Sequence, residues 1–223
     1  DASGMQYVLT DKRIPDGRAA ECEVYNRPDF LYHWWALNAL GVSVVPIHSD
    51  MRSAELQYLI GHSEIALAVV LAPRQPDVAQ AAQAVGSACA VWAHGSNAPM
   101  PRAHAAPPLA HQAVGRQTEC ALLYTSGTTG RPKGVLHSHN TLDRVAQFGK
   151  RYSGIPNDVT LMPSPVTHIS GFSGGLEKPF ASGSQVVLME VWKAKDAVEL
   201  IDRYGVTSTV AATASDEPSS MAT

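Results

Sequence analysis

Cysteine is scarce in this chain, with three in 223 residues: Cys22, Cys89 and Cys120. None belongs to a Cys-x-x-Cys pair, and an odd, scattered count is a poor disulfide framework. The three read as small apolar residues in a reducing, cytoplasmic compartment. Long hydrophobic runs are missing as well. The longest, Ile65 to Ala72, falls far short of the roughly 20 apolar residues of a membrane-spanning helix, so no transmembrane segment is expected. No Asn-x-Ser/Thr acceptor occurs. Charge of one sign is also lacking: the net value of -3 offers no electrostatic reason to expect nucleic acid as a partner. The start, Asp1-Ala2-Ser3-Gly4, has no initiator Met and no basic region followed by an apolar run, and reads as the inside of a longer frame.

The apolar content of 45% and charged content of 17% are ordinary for a globular protein, and the length suits one large domain or two small lobes. Short apolar runs alternate with amphipathic stretches. Asp29 to Leu40 is spaced as a helix stopped by Gly41, and Val42 to Ile47 as a buried strand. Met51 to Ile60 reads as a helix, with Asp50 near its start and Gly61 at its end. Ile65 to Leu71 reads as a strand, Asp77 to Val85 as a helix closed by Gly86, and Ala88 to Trp92 as a strand. A stretch rich in Ala, Pro and His follows, read as a surface connection. Beyond it come a strand at Cys120 to Tyr124, a loop from Thr125 to Gly134, and a helix from Asn140 to about Tyr152. Strands at Val159–Met162, Gln185–Met189 and Val206–Val210 then flank a helix at Asp196–Tyr204. Such alternation predicts an α/β fold with largely parallel sheets flanked by helices. The expected division is a first lobe at 1–93, a connection at 94–118, a second lobe at 119–212 and an irregular tail at 213–223. The tail has no apolar face to bury and reads as a frayed or cut terminus.

The loop carries the chemistry. Gly127, Gly130 and Gly134 let backbone N–H groups approach phosphate oxygens closely. Thr125, Ser126, Thr128 and Thr129 add hydroxyl donors, Lys133 adds a compact cation, and Pro132 stiffens the chain just before it. The loop follows an apolar strand, which places it at a carboxyl end, where open α/β sheets bind ligands. It is not a Walker A loop: five residues separate Gly127 from Lys133, and Gly rather than Ser or Thr follows the lysine. A dinucleotide-binding Gly-x-Gly-x-x-Gly is absent too.

Other patterns carry less. Gly171-Phe172-Ser173-Gly174-Gly175 fits the Gly-x-Ser-x-Gly of a hydrolase elbow, but no His follows His168 to complete a triad. His137 and His139, two apart, would share one side of an extended segment as metal ligands do, yet no carboxylate or Cys nearby completes a zinc site. Trp34 and Trp35 read as core residues of an apolar helix.

Thr125-Ser126-Gly127-Thr128-Thr129-Gly130-Arg131-Pro132-Lys133-Gly134-Val135 resembles, without a gap, the signature loop of the adenylate-forming superfamily, which includes acyl-CoA synthetases and firefly luciferase. Asn26-Arg27-Pro28-Asp29-Phe30 and Val45-Pro46-Ile47 are similar to its early region, and Pro163 to Gly171 to its next motif. The resemblance runs from about Asn26 to Ala212. It implies a partial large N-terminal domain of an enzyme that activates a carboxylic acid with Mg-ATP and transfers the acyl group to a thiol, usually coenzyme A. It implies that Ser126, Thr128, Thr129 and Lys133 hold the β and γ phosphates, with Gly127, Gly130, Arg131, Pro132 and Gly134 completing the nucleotide loop. Thr125 would contact Mg²⁺, and His168 and Gly171 would border the acyl site. Ser164 to Arg203 looks most like ligases for medium-chain or alicyclic acids, such as cyclohexanecarboxylate–CoA ligase. The family's later motifs, including an acidic Mg²⁺ residue, a ribose-binding Asp and a late lysine, have no counterpart after Ala211. This leaves open a non-catalytic remnant that binds nucleotide weakly or offers only an interaction surface.

Overall fold

The strands at Val44–His48 and Leu67–Leu71 carry apolar residues on both faces, and this builds a sheet covered on both sides. The computed structural model describes residues 20–24, 28–48, 50–94, 114–125, 131–153, 155–189 and 192–210. A six-stranded sheet has the order β4-β3-β1-β2-β5-β6. Its strands are β1 (Ala20–Val24), β2 (Val44–His48), β3 (Leu67–Leu71), β4 (Ala90–His94), β5 (Glu119–Thr125) and β6 (Lys133–Ser138). All neighbours run parallel except β5 and β6, which form an antiparallel hairpin. Along β2, Val44 faces one core while Val45 and Ile47 face the other; along β3, Leu67 and Val69 oppose Ala68 and Val70.

One face is covered by α2 (Ser53–Ser63) and α3 (Gln75–Ala84), which insert Leu56, Leu59, Ile60 and Val78. The other is covered by α1 (Pro28–Ala39), by α4 (His139–Ser153), and by a helical run made of α5 (Ile169–Phe172), a π turn at Ser173–Glu177 and α6 (Lys178–Ser182). Trp34 of α1 meets Phe172 edge-on, with centroids 4.7 Å apart and planes at 84°. A smaller parallel sheet, β8-β7-β9, consists of β7 (Val159–Met162), β8 (Gln185–Leu188) and β9 (Ser208–Thr209). Leu161 and Met189 pack there against Ala197 of α7 (Ala194–Tyr204).

The expected α/β architecture is present, with corrections. The hairpin β5–β6 joins the first sheet through β2, so that sheet crosses the boundary expected at residue 118. Lys133 and Gly134 belong to a strand rather than to the loop, because their backbones pair with Thr125 and Tyr124. The helix expected to stop at Gly61 runs on to Ser63 and closes at Glu64 in the left-handed region (φ 51°). Tertiary contacts of His62 carry it through a residue of weak helix propensity. Its start is set by Arg52, whose N–H donates to the Glu55 carboxylate at 2.8 Å, not by Asp50. β1, the sheet's central strand, alternates small and acidic residues and escaped pattern reading. The connection is described only at its ends, and the tail lies outside the described residues.

A buried clasp joins the small sheet to the helical run. Asp158, just before β7, is 4% exposed. Its carboxylate accepts from Thr207 Oγ1 at 2.6 Å, Ser208 Oγ at 2.8 Å and Lys178 Nζ at 2.9 Å. Burial alone would raise its pKa, but these hydroxyl donors and the Lys178 charge outweigh that and hold it at about 2.

Candidate functional site

The hairpin β5–β6 determines where the loop goes. Thr125 and Lys133 are cross-strand partners at the end that carries the loop, and Thr125 Oγ1 donates to the Lys133 carbonyl at 3.4 Å. Both side chains are exposed. Ser126, Gly127, Thr128, Thr129 and Gly130, which join the two strands, lie outside the described residues. Gly134 has a packing reason: a Cβ there would sit 2.8 Å from Leu122 Cδ1 on the facing strand.

Helix α2 anchors the base of the loop through residues that the sequence reading missed. Tyr58 Oη donates to the Pro132 carbonyl at 2.9 Å, and the Arg131 guanidinium lies 5.8 Å from the Tyr58 ring centroid. One turn on, His62 Nδ1 and Tyr124 Oη are 2.7 Å apart. The signal was an i, i+4 pair of aromatic residues on one helix face, which spacing alone cannot separate from ordinary helix decoration.

Tyr124 also lines a cavity of about 320 Å³ with Pro46, His48, Ser164, Pro165 and His168. The cavity lies at the carboxyl ends of the parallel strands β2 and β5, the position where α/β sheets present ligand sites. His168 caps α5: its Nδ1 accepts from Ser170 N–H at 3.3 Å and lies 2.8 Å from Ser170 Oγ. The cap orients the ring at the mouth of the cavity.

Gly171 does not line this cavity. It is buried, and a Cβ on it would lie 2.1 Å from the Pro165 carbonyl oxygen and 2.5 Å from that of Ser164. Its position is dictated by backbone against backbone, so it supports the wall that carries His168. Gly171→Ala is expected to destabilise the chain toward the upper end of the roughly 1–3 kcal/mol typical of overpacking, because a backbone cannot rotate aside. A thermal melt indistinguishable from wild type would refute that packing role.

The alternative sites do not assemble. Ser173 donates to the Ile169 carbonyl at 2.8 Å inside a helical run, not on a strand-to-helix elbow. Gly174 and Gly175 instead press on Met162. His137 ends a strand segment while His139 opens α4, so they share no extended face, and burial lowers the pKa of both. Among the described residues no group of three His, Cys, Asp or Glu could hold a metal. Cys120 is a free thiol, and burial, with help from Glu177 and Glu119, pushes it up to about 12. Trp34 is core as expected, whereas Trp35 is 37% exposed.

The family described as AMP-binding enzyme matches residues 23–215. Medium-chain fatty-acid–CoA ligase of Escherichia coli (strain K12) is 35% identical over 94 residues, which are 42% of this chain and 17% of that protein. Crotonobetaine/carnitine–CoA ligase of Salmonella heidelberg (strain SL476) is 26% identical over 208 residues, covering 88% of this chain and 40% of that one. Among solved structures, ATP-bound MatB from Rhodopseudomonas palustris shares the fold, with a TM-score of 0.81 and 22% identity over 93% of this chain and 42% of its own. o-Succinylbenzoate CoA synthetase (MenE) from Bacillus subtilis, in complex with the acyl-adenylate intermediate OSB-AMP, has a TM-score of 0.77 and 25% identity over 93% and 52%. The chain thus spans at most 40% of the length of these two curated relatives.

Proposed function

The chain belongs to the AMP-binding enzyme family, and we propose that it carries the phosphate-gripping part of an ATP-dependent acid–thiol ligase that makes acyl-CoA thioesters. The observation that carries this reading is the hairpin end. Thr125 and Lys133 close it side by side, and the adjoining Tyr124 lines a cavity with His168. In this reading the carboxylate of the acid attacks the α-phosphorus of ATP, and the bond to pyrophosphate breaks. The thiol of coenzyme A then attacks the acyl carbon and AMP leaves. Negative charge gathers on the departing pyrophosphate, where preorganised donors have their largest effect. Lys133, Ser126, Thr128 and Thr129 supply those donors, and Gly127, Gly130 and Gly134 let the backbone approach. His168 borders the acyl group or the thiol's approach, and Gly171 holds that wall in place.

Magnesium fits one part of this site. Mg²⁺ is usually held by one or two protein oxygens together with substrate phosphates, and the exposed Thr125 hydroxyl is a hard donor of that kind. Bound there, the ion would neutralise phosphate oxygens. For the acid we favour a medium-chain or alicyclic carboxylate such as cyclohexanecarboxylate, a choice supported by the tone of Ser164 to Arg203 and by the medium-chain ligase relative. The odd, scattered cysteine count suits a reducing, cytoplasmic compartment.

The test is pyrophosphate release by the full-length protein across a panel of carboxylic acids, with and without coenzyme A. The expected result is ATP- and Mg²⁺-dependent thioester formation, strongest with alicyclic or medium-chain acids. Turnover with amino acids and no thioester would overturn the coenzyme A reading. Nucleotide binding with no turnover would leave a binding module.

A further inference from the structure

A second cavity lies apart from the one beside the loop. It has a volume of about 720 Å³ and lies between α1, α4 and the end of the helical run that includes α6. That size is within the range of small-molecule sites. It shares no lining residue with the cavity of Tyr124 and His168.

Its walls have a definite chemistry. Trp34, Trp35 and Phe180 supply aromatic surface, and the Trp35 and Phe180 rings are in contact, with centroids 5.3 Å apart and planes at 44°. Asp143 and Glu177 supply carboxylates, and among the described residues no lysine or arginine lines the space. The nearest ammonium along the chain, that of Lys178, is committed to Asp158 at 2.9 Å.

Two further groups of the wall have unmet hydrogen-bonding capacity. Asn38 is 7% exposed. Its Nδ2 donates to the Trp34 carbonyl at 3.0 Å, while its Oδ1 is buried without a hydrogen-bond partner among the described residues. The Nε2 of His139 is likewise buried and unpartnered. Orphaned buried polar atoms are rare and costly, and a site that holds them beside carboxylates calls for donors from outside the chain.

We propose that this cavity binds an organic ammonium ion, a primary amine on an apolar ring-sized body, with Glu177 and Asn38 taking its N–H donors and the paired rings of Trp35 and Phe180 covering one side of the body. An anion would meet two carboxylates and no counter-charge. A neutral apolar guest would leave the Asn38 acceptor unpaired. An ammonium satisfies the acceptors and gains from the aromatic faces.

The electrostatics set a pH dependence. Burial, and secondarily the nearby Asp143 charge, raise the Glu177 pKa to about 7. The groups that face Glu177 are Asp143 and His139 from α4 and Cys120 from β5. Burial lowers the pKa of His139 and, with Glu177 and Glu119, raises that of Cys120 to about 12, so neither competes as a cation or an anion near neutrality. Glu177 therefore gains its charge as pH rises through about 7, and ammonium binding strengthens in the same direction.

The experiment is calorimetric titration of the chain with 2-phenylethylammonium, 2-phenylethanol and 3-phenylpropanoate at pH 6 and pH 8. The ammonium is expected to bind more tightly at pH 8, the alcohol at least about tenfold more weakly, and the carboxylate not at all. Glu177→Gln, which removes a buried charge and keeps the shape, is expected to weaken ammonium binding about tenfold and to abolish the pH dependence. Phe180 is 72% exposed, so Phe180→Ala tests the same cavity without disturbing the core and is expected to weaken binding. Should Glu177→Gln fail to fold by circular dichroism, the pH pair and Phe180→Ala decide the question. Equal binding of alcohol and ammonium, unchanged affinity in the variants, or no binding by the intact chain would each overturn the assignment.

Discussion

Replacing Asp158 with alanine is expected to destabilise the chain by roughly 3–5 kcal/mol, the cost of removing one partner from a buried ion pair. For a chain of this size that corresponds to a fall in Tm of roughly 6–20 °C. The magnitude follows from what is left behind. Lys178 Nζ would lose its carboxylate, and the hydroxyls of Thr207 and Ser208 would lose the acceptor they share. These groups belong to different elements: the turn before β7, the start of α6 and the strand β9. The clasp therefore couples segments about 20 to 50 positions apart. Thermal melts of Asp158→Ala, Lys178→Met and the double variant measure the coupling. Effects that simply add would show that the pair carries no special energy.

The same carboxylate gives a pH signature with a definite sign. Its folded pKa of about 2 lies below its ordinary value of 3.8. Its contribution, on the order of 2 kcal/mol, is fully present above the ordinary value and is lost as pH falls through about 2. In Asp158→Asn the chain is expected to lose less stability between pH 5 and pH 2 than the wild type does.

Lys133→Ala is expected to slow pyrophosphate release by the full-length protein about 10²–10³-fold, or roughly 2.7–4 kcal/mol of transition-state stabilisation. The lysine is exposed on the first residue of β6, so its removal touches no core, and its effect on stability is expected to stay within about 0.5 kcal/mol. A large kinetic effect with an unchanged melt would separate phosphate binding from a structural role. Lys133→Arg keeps the charge but replaces a compact ammonium with a planar fork, and is expected to recover part of the rate. An unchanged rate in Lys133→Ala would remove the lysine from the mechanism and leave the hydroxyls and backbone of the loop to do its work.

The loop and the central strands could be read without a structure because their signals are local. Val44 to Ile47 and Leu67 to Leu71 are apolar at every position but Pro46, and only a sheet buried on both faces uses such runs. Gly41 ends α1 at φ 73°, as its place after a helical pattern required.

β6 was not readable, because it is a partly exposed edge strand whose order comes from its ladder with β5. Gly61 was misread as a helix stop, because propensity loses to the contact of His62 with Tyr124, 62 positions away. The tight approach of Gly171 to the backbone of Ser164 and Pro165 is likewise a tertiary feature that motif position does not show.

By itself the sequence determined the alternation of strands and helices, since periodicity acts over a few residues. The tertiary structure alone decided that a single sheet runs from β4 to β6, that Tyr58 and His62 brace the loop's base, that Asp158 is the centre of a clasp, and that Glu177 and the Oδ1 of Asn38, without a partner among the described residues, face one cavity. Desolvation, orphaned acceptors and shared carboxylates arise only when distant segments exclude water together, and no short stretch of sequence records that event.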